Sequence, residues 1–128
     1  MPRTAELLKG RSILVVEDEM MVLMNIEDVL RDHACTEVVA AATIDQALAL
    51  INARSFDAAI LDVNLDGKPS HLVADELAAH DIPFVVSTGY GQLALGSSYG
   101  DRPVLMKPYR DETLVKMLAQ LLGDAAAQ

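Results

Sequence analysis

Short apolar runs alternate with amphipathic stretches along nearly the whole chain. Ile13-Leu14-Val15-Val16 is uninterrupted and rich in β-branched residues, the pattern of a strand buried on both faces. From Met20 to Arg31 the residues Val22, Ile26, Val29 and Leu30 form one stripe of an amphipathic helix. Val38-Val39-Ala40-Ala41 predicts a second strand. Thr43 stands three residues before Gln46, a capping-box spacing that opens a helix with Ile44, Leu48 and Ile51 on one face. Ala58-Ala59-Ile60-Leu61 predicts the third strand, and Ser70 to His80 a helix carrying Val73 and Leu77. Pro83 to Ser87 reads as the fourth strand, with proline at its first position, where a missing donor does least harm. The glycine-rich segment Gly89 to Gly100 leaves only a weak helix signal around Leu93-Ala94-Leu95. Val104-Leu105-Met106 predicts the fifth strand. Asp111 caps a last helix that turns Leu114, Leu118, Leu121 and Leu122 inward, Gly123 ends it, and Asp124 to Gln128 fray.

Five strands alternating with five helices, each strand uniformly apolar, predict an α/β fold: a five-stranded parallel sheet with helices on both faces. No linker, internal repeat or low-complexity run interrupts the pattern. Residues 1–128 are therefore expected to form one domain, with a core of about 11–122 and flexible termini.

Composition narrows the function. At 52% hydrophobic residues the chain can build a real core, and with 4% aromatics and no Trp that core is aliphatic. Ten Lys and Arg against nineteen Asp and Glu give a net charge of −9, which repels a phosphate backbone and argues against nucleic-acid binding. The lone cysteine, Cys35, excludes an intramolecular disulfide and any cysteine-based metal cluster, and beside Thr36 and Glu37 it reads as a bystander. No apolar stretch has the length of a signal peptide or of the ~20-residue membrane span. A cytoplasmic setting without membrane contact is expected. Met20, Met21 and Met24 are expected to fill core or groove space beside the first helix. His33, His71 and His80 read as solvated, and Tyr109 as packed beneath the last helix.

In doubly wound sheets ligands bind beyond the carboxyl ends of the strands, at the topological switch point, so polar residues should gather there. Strand one ends in Glu17-Asp18, strand three in Asp62, strand four in Ser87-Thr88 and strand five in Lys107. Each has an ordinary explanation alone: an acidic pair favours a helix N-terminus, an Asp opens a turn, and a Thr suits a strand. The coincidence of all four at one edge outweighs those explanations. Three clustered carboxylates raise one another's pKa unless a cation joins them. Glu17, Asp18 and Asp62, with a backbone carbonyl at Asn64, form an oxygen-only set suited to Mg²⁺ (or Mn²⁺). Lys107 can pair with Asp62 or hold a phosphoryl oxygen, and the Thr88 hydroxyl can donate to the same oxygen. A carboxylate nucleophile, a metal, a lysine and a hydroxyl together make a phosphoryl-accepting site.

Val16-Glu17-Asp18-Glu19, Leu61-Asp62-Val63-Asn64-Leu65, Ser87-Thr88-Gly89-Tyr90 and Met106-Lys107-Pro108-Tyr109 resemble, in order and spacing, the motifs of the response-regulator receiver domain of two-component signalling. The resemblance runs from about Arg11 to Leu122. It implies a flavodoxin-like (βα)5 three-layer sandwich. It implies Asp62 as phosphoacceptor, Asp18 as direct metal ligand, Glu17 acting largely through water, and the Asn64 carbonyl as a further ligand. Thr88 would be the switch hydroxyl, Lys107 the site lysine, and the bond to Pro108 cis. The partners implied are a histidine kinase and a downstream protein, and the only catalysis is of the chain's own phosphorylation and dephosphorylation. No output domain follows Gln128, so the expectation is a stand-alone receiver that signals by protein contact or serves as a relay or phosphate sink.

The segments from Leu61 to Asp75 and from Ile82 to Gly91 further resemble stand-alone receivers that carry Phe-Ala-Thr-Gly-hydrophobic-Tyr at strand four and work with HWE and related histidine kinases. Here Val86-Ser87 replaces Phe-Ala. Many receivers also place Tyr or Phe three residues before the lysine, where this chain has Val104. The expected conducting element is instead the Gly89–Gly100 segment, with Tyr90 or Tyr99 as the mobile ring. Two other readings stand beside this one. A small haloacid-dehalogenase-like phosphohydrolase would carry its nucleophile on strand one, in an Asp-x-Asp motif absent here, and a degenerate scaffold would lack part of the site.

Overall fold

The computed structural model describes residues 8–33, 35, 37–65, 67–89 and 102–126. Its elements are β1 (Ser12–Val16), α1 (Met20–Asp32), β2 (Glu37–Ala41), α2 (Ile44–Ala53), β3 (Ala58–Asp62), the short strands β4 (Asn64–Leu65) and β5 (Lys68–Pro69), α3 (His71–Ala79), β6 (Phe84–Thr88), β7 (Val104–Met106) and α4 (Asp111–Ala126). The main sheet has the order β2-β1-β3-β6-β7, and all its pairings are parallel. The chain winds outward from β1 to β2 on one side, then from β3 through β6 to β7 on the other. The carboxyl ends of β1 and β3 therefore meet at the switch point. The layering is flavodoxin-like. A fifth helix was expected within 89–100, of which residues 90–100, with Tyr90 and Tyr99, lie outside the described residues.

Strand residues alternate between two aliphatic layers. Leu14, Val16, Leu61, Phe84 and Val86 pack towards α2 and α3 with Ile51, Val73 and Leu77. Ile13, Val15, Ile60 and Val85 face the opposite way, against Ile26 and Leu30 of α1 and Leu114, Leu118 and Leu122 of α4. The expectation of strands buried on both faces holds for β1, β3 and β6. It fails at the sheet edges. In β2 only Ala41 is fully buried, and in β7 Val104 and Met106 are exposed on either side of buried Leu105, because an edge strand has no neighbour on its outer side.

Local signals explain most boundaries. The Thr43 hydroxyl accepts from the Gln46 N–H at 3.1 Å, and the Gln46 side chain reaches back to the Ala42 N–H at 2.9 Å, a reciprocal cap shifted by one residue from the usual box. Asp81, at φ 56°, occupies the left-handed position that closes α3, with the Ile82 N–H donating to Leu77 O at 2.9 Å. Three expectations are corrected. Pro83 precedes the fourth strand, which begins at Phe84. Asp111 is the first helical residue of α4 rather than its cap, and its carboxylate accepts from Asn25 at 2.9 Å. Gly123 does not end that helix, which continues to Ala126. In α1 the buried line is Leu23, Ile26 and Leu30, with Val22 and Val29 flanking it.

Met20, Met21 and Met24 do not fill the core; they are exposed, Met21 at 81%. Among the described residues no helix is long and apolar enough to cross a membrane. Cys35 is free and buried. Burial, and then the nearby Asp57 charge, push its thiol pKa up, which leaves it unreactive.

Candidate functional site

The strand ends deliver their polar residues to one place. Glu17 follows β1, and its N–H is tied to Ala41 O at 3.0 Å. Asp62 is the last residue of β3, paired with Ser87 of β6. Thr88 ends β6, opposite Met106, and its carbonyl accepts from the Lys107 N–H at 2.8 Å. Register alone therefore sets Asp62, Thr88 and Lys107 side by side. Glu17, Asp18 and Asp62 each present a carboxylate oxygen, all within 4.8 Å of one another.

Lys107 closes this acidic cleft. Its ammonium donates to Asp62 Oδ2 at 2.8 Å and lies 3.0 Å from Glu17 Oε1 and 3.7 Å from Glu19 Oε1. Burial alone would lower its pKa. The hydrogen bonds and charges of Asp62 and Glu17 outweigh that and raise it, so the lysine stays charged. Glu17 is 2% exposed. Burial is the main cause lifting its pKa to about 7, and the Asp62 charge adds to it, against the Glu19 N–H and Lys107, which lower it. Glu17 Oε2 accepts that Glu19 N–H at 3.1 Å. The buried Thr88 hydroxyl makes a long contact to Gly89 O at 3.4 Å. The peptide bond between Lys107 and Pro108 is cis.

Beyond Asp62 the chain turns into a small hairpin of β4 and β5. Asn64 faces Pro69 across it, and the adjacent rung is the Ser70 N–H on Val63 O at 2.9 Å. In an antiparallel pair, a residue next to a hydrogen-bonded rung points both its N–H and its C=O outward. The outward N–H of Asn64 meets Asp62 Oδ1 at 3.1 Å. Gly67, at φ 80°, supplies the left-handed residue of the connecting turn.

Sequence reasoning missed three participants: Glu19 as a further neighbour of Lys107, the β4–β5 hairpin, and Ser70. The Asp66-Gly67 dipeptide carried the hairpin signal, whereas strands of two residues leave no periodicity to read.

The family of response regulator receiver domains matches residues 13–119. This chain belongs to it. SdrG from Sphingomonas melonis Fr1 is a solved relative of this receiver, 44% identical, with 88% of this chain and 96% of that one covered and a TM-score of 0.73. A response regulator receiver protein from Sinorhizobium medicae WSM419 is 26% identical, covered over 91% and 97%, with a TM-score of 0.81. The receiver domain of the sensor histidine kinase PA1611 from Pseudomonas aeruginosa PAO1, solved with magnesium in its active-site cleft, shares the fold at 24% identity and a TM-score of 0.75, over 89% of this chain and 98% of that one. No curated protein matches in sequence. The family match displaces the phosphohydrolase reading, and receivers as a family exchange signals with histidine kinases and downstream effectors.

Proposed function

We propose that Asp62 is the phosphoryl acceptor of this receiver, loaded from a phosphohistidine donor. The observation that carries the reading is the contact of Lys107 with Asp62 Oδ2 at 2.8 Å inside a cluster of three carboxylates. One Asp62 oxygen attacks phosphorus in line, the P–O bond forms as the P–N bond breaks, and the electron pair leaves on the imidazole. Lys107 stays protonated and turns from the carboxylate towards an oxygen of the arriving group, offsetting its charge. Thr88, one residue past the Asp62 partner in β6, donates its hydroxyl to that group once it is in place.

The donor set fits a divalent cation: oxygen-only ligands from Glu17, Asp18 and Asp62 suit Mg²⁺ or Mn²⁺, and the Asn64 carbonyl would be a further oxygen ligand. When bound, such an ion neutralises charge that builds up during transfer. Glu17 is already held by Lys107 and the Glu19 N–H, which favours its acting through a water while Asp18 binds directly. On the input side we take a histidine kinase of the HWE or a related type, in the cytoplasm. On the output side we take protein contact or relay, with residues 1–128 working as one domain and Tyr90 and Tyr99 as candidate conducting rings. Phosphotransfer profiling against purified kinases tests the first of these.

The central test is labelling by phosphoramidate with Mg²⁺, read by intact mass. Wild type gains one phosphoryl group, and Asp62→Asn gains none; a chelator stops the wild-type reaction. Equal labelling of the variant removes Asp62 from this role.

A further inference from the structure

Ser70 immediately precedes α3, in the N-cap position, and is fully buried. A serine there ordinarily turns its hydroxyl onto the free N–H groups of the first helical turn. This one makes no such bond. Its Oγ donates instead to the main-chain carbonyl of Asp62, eight residues earlier, while its N–H holds Val63 O at 2.9 Å. The same short segment is pinned from the other side by the Val63 N–H on Ser87 O at 2.9 Å, and internally by the Asn64 N–H on Asp62 Oδ1 at 3.1 Å.

The consequence is geometric. Both carbonyls before Asn64 are held by Ser70, one through its side chain and one through its backbone. The same bonds hold the segment that carries the Asp62 carboxylate and leads into Asn64, whose N–H that carboxylate accepts. The bond to Asp62 O depends on a side chain, so it can be removed by substitution without breaking the main chain.

We propose that Ser70 is a positioning residue for the acceptor site: its hydroxyl, acting through the Asp62 main-chain carbonyl, sets the carboxylate of Asp62 and the carbonyl of Asn64 in one fixed relation to an incoming cation and phosphoryl group. The proposal rests on the reading of Asp62 as acceptor. A hydroxyl that served stability alone would matter equally in any state of the site. A hydroxyl that positions the segment matters to cation affinity and to the transfer rate as well, as outer-shell contacts at metal sites commonly do.

The test compares wild type, Ser70→Ala, Ser70→Cys and Leu77→Ala, the last a buried α3 residue away from the cleft that serves as a control for lost stability. Mg²⁺ affinity is measured by calorimetric titration. Phosphoryl uptake from phosphoramidate is measured at saturating Mg²⁺, with both assays well below the melting temperature of each variant. Ser70→Ala is expected to weaken Mg²⁺ binding by about tenfold and to slow uptake by a similar factor, while Leu77→Ala changes only the melting temperature. Ser70→Cys keeps a donor, weaker and on a slightly larger atom, and falls between; it decides the matter if Ser70→Ala does not fold. A serine variant that matches Leu77→Ala in both affinity and rate overturns the proposal. Labelling of Asp62→Asn in the same assay overturns the acceptor reading instead, so the two failures are told apart.

Discussion

The ammonium of Lys107 bridges Asp62 and Glu17, at 2.8 and 3.0 Å, with the lysine side chain only 19% exposed. It is thus the counter-charge that lets two nearly buried carboxylates stand together, and it occupies oxygens that a divalent cation would also use. Removing it should have effects of opposite sign. Lys107→Ala is expected to bind Mg²⁺ severalfold more tightly, because the competing charge is gone, and to lose about 1–2 kcal/mol of metal-free stability. Phosphoryl uptake should fall at least about tenfold, because nothing replaces the charge facing the transferring group. Calorimetric titration and labelling on one sample check both arms. Weaker Mg²⁺ binding in the variant would contradict the competition.

Asp18 makes the complementary case. It is half-buried, shares the 4.8 Å cluster with Glu17 and Asp62, and is the carboxylate assigned to direct contact with the ion. Asp18→Asn should weaken Mg²⁺ binding on the order of tenfold or more, with little change in melting temperature without metal. Unchanged Mg²⁺ affinity would show that the three oxygens do not act as one ligand set.

The site was legible in the sequence because it obeys a rule about strand ends. Once Val16, Asp62, Thr88 and Met106 are recognised as ends of parallel strands, Glu17, Asp62, Thr88 and Lys107 must share an edge. The illegible parts have physical reasons. An apolar run such as Val104-Leu105-Met106 reports that a strand forms, not that it lies at the edge, where Val104 and Met106 stay exposed. Gly123 resembled a stop, yet one glycine costs a helix only about 1 kcal/mol against alanine, and α4 runs through it. Ser70 read only as the start of a helix; its bond to Asp62 O is a tertiary contact that no local pattern encodes.

The same contrast between pattern and placement gives a stability prediction. Leu14 is fully buried in the layer under α2 and α3, whereas Met21 is 81% exposed on α1. Leu14→Ala should cost about 2–5 kcal/mol in urea unfolding. Met21→Ala should stay within about 0.5 kcal/mol. A large loss from Met21→Ala would show that Met21 is packed, contrary to its exposure.

Tyr109 provides a pH test. Burial, and next the charge of Glu17, push its phenol up to about 12. Between about pH 10, where an unfolded tyrosine ionises, and about pH 12, the folded chain keeps a proton that the unfolded chain has lost. The contribution of this phenol to stability is therefore fully present below pH 10 and disappears as pH rises through 12. Tyr109→Phe removes that dependence. At pH 8 it should change stability by no more than about 1 kcal/mol, and its stability relative to wild type should rise above pH 10. Ultraviolet titration of the wild type minus the variant isolates Tyr109 from the other two tyrosines, and the difference should rise near pH 12. A difference curve centred near 10 would mean that the phenol reaches water, and that the packing of Tyr109 against the α1 and α4 layer is looser than its burial states.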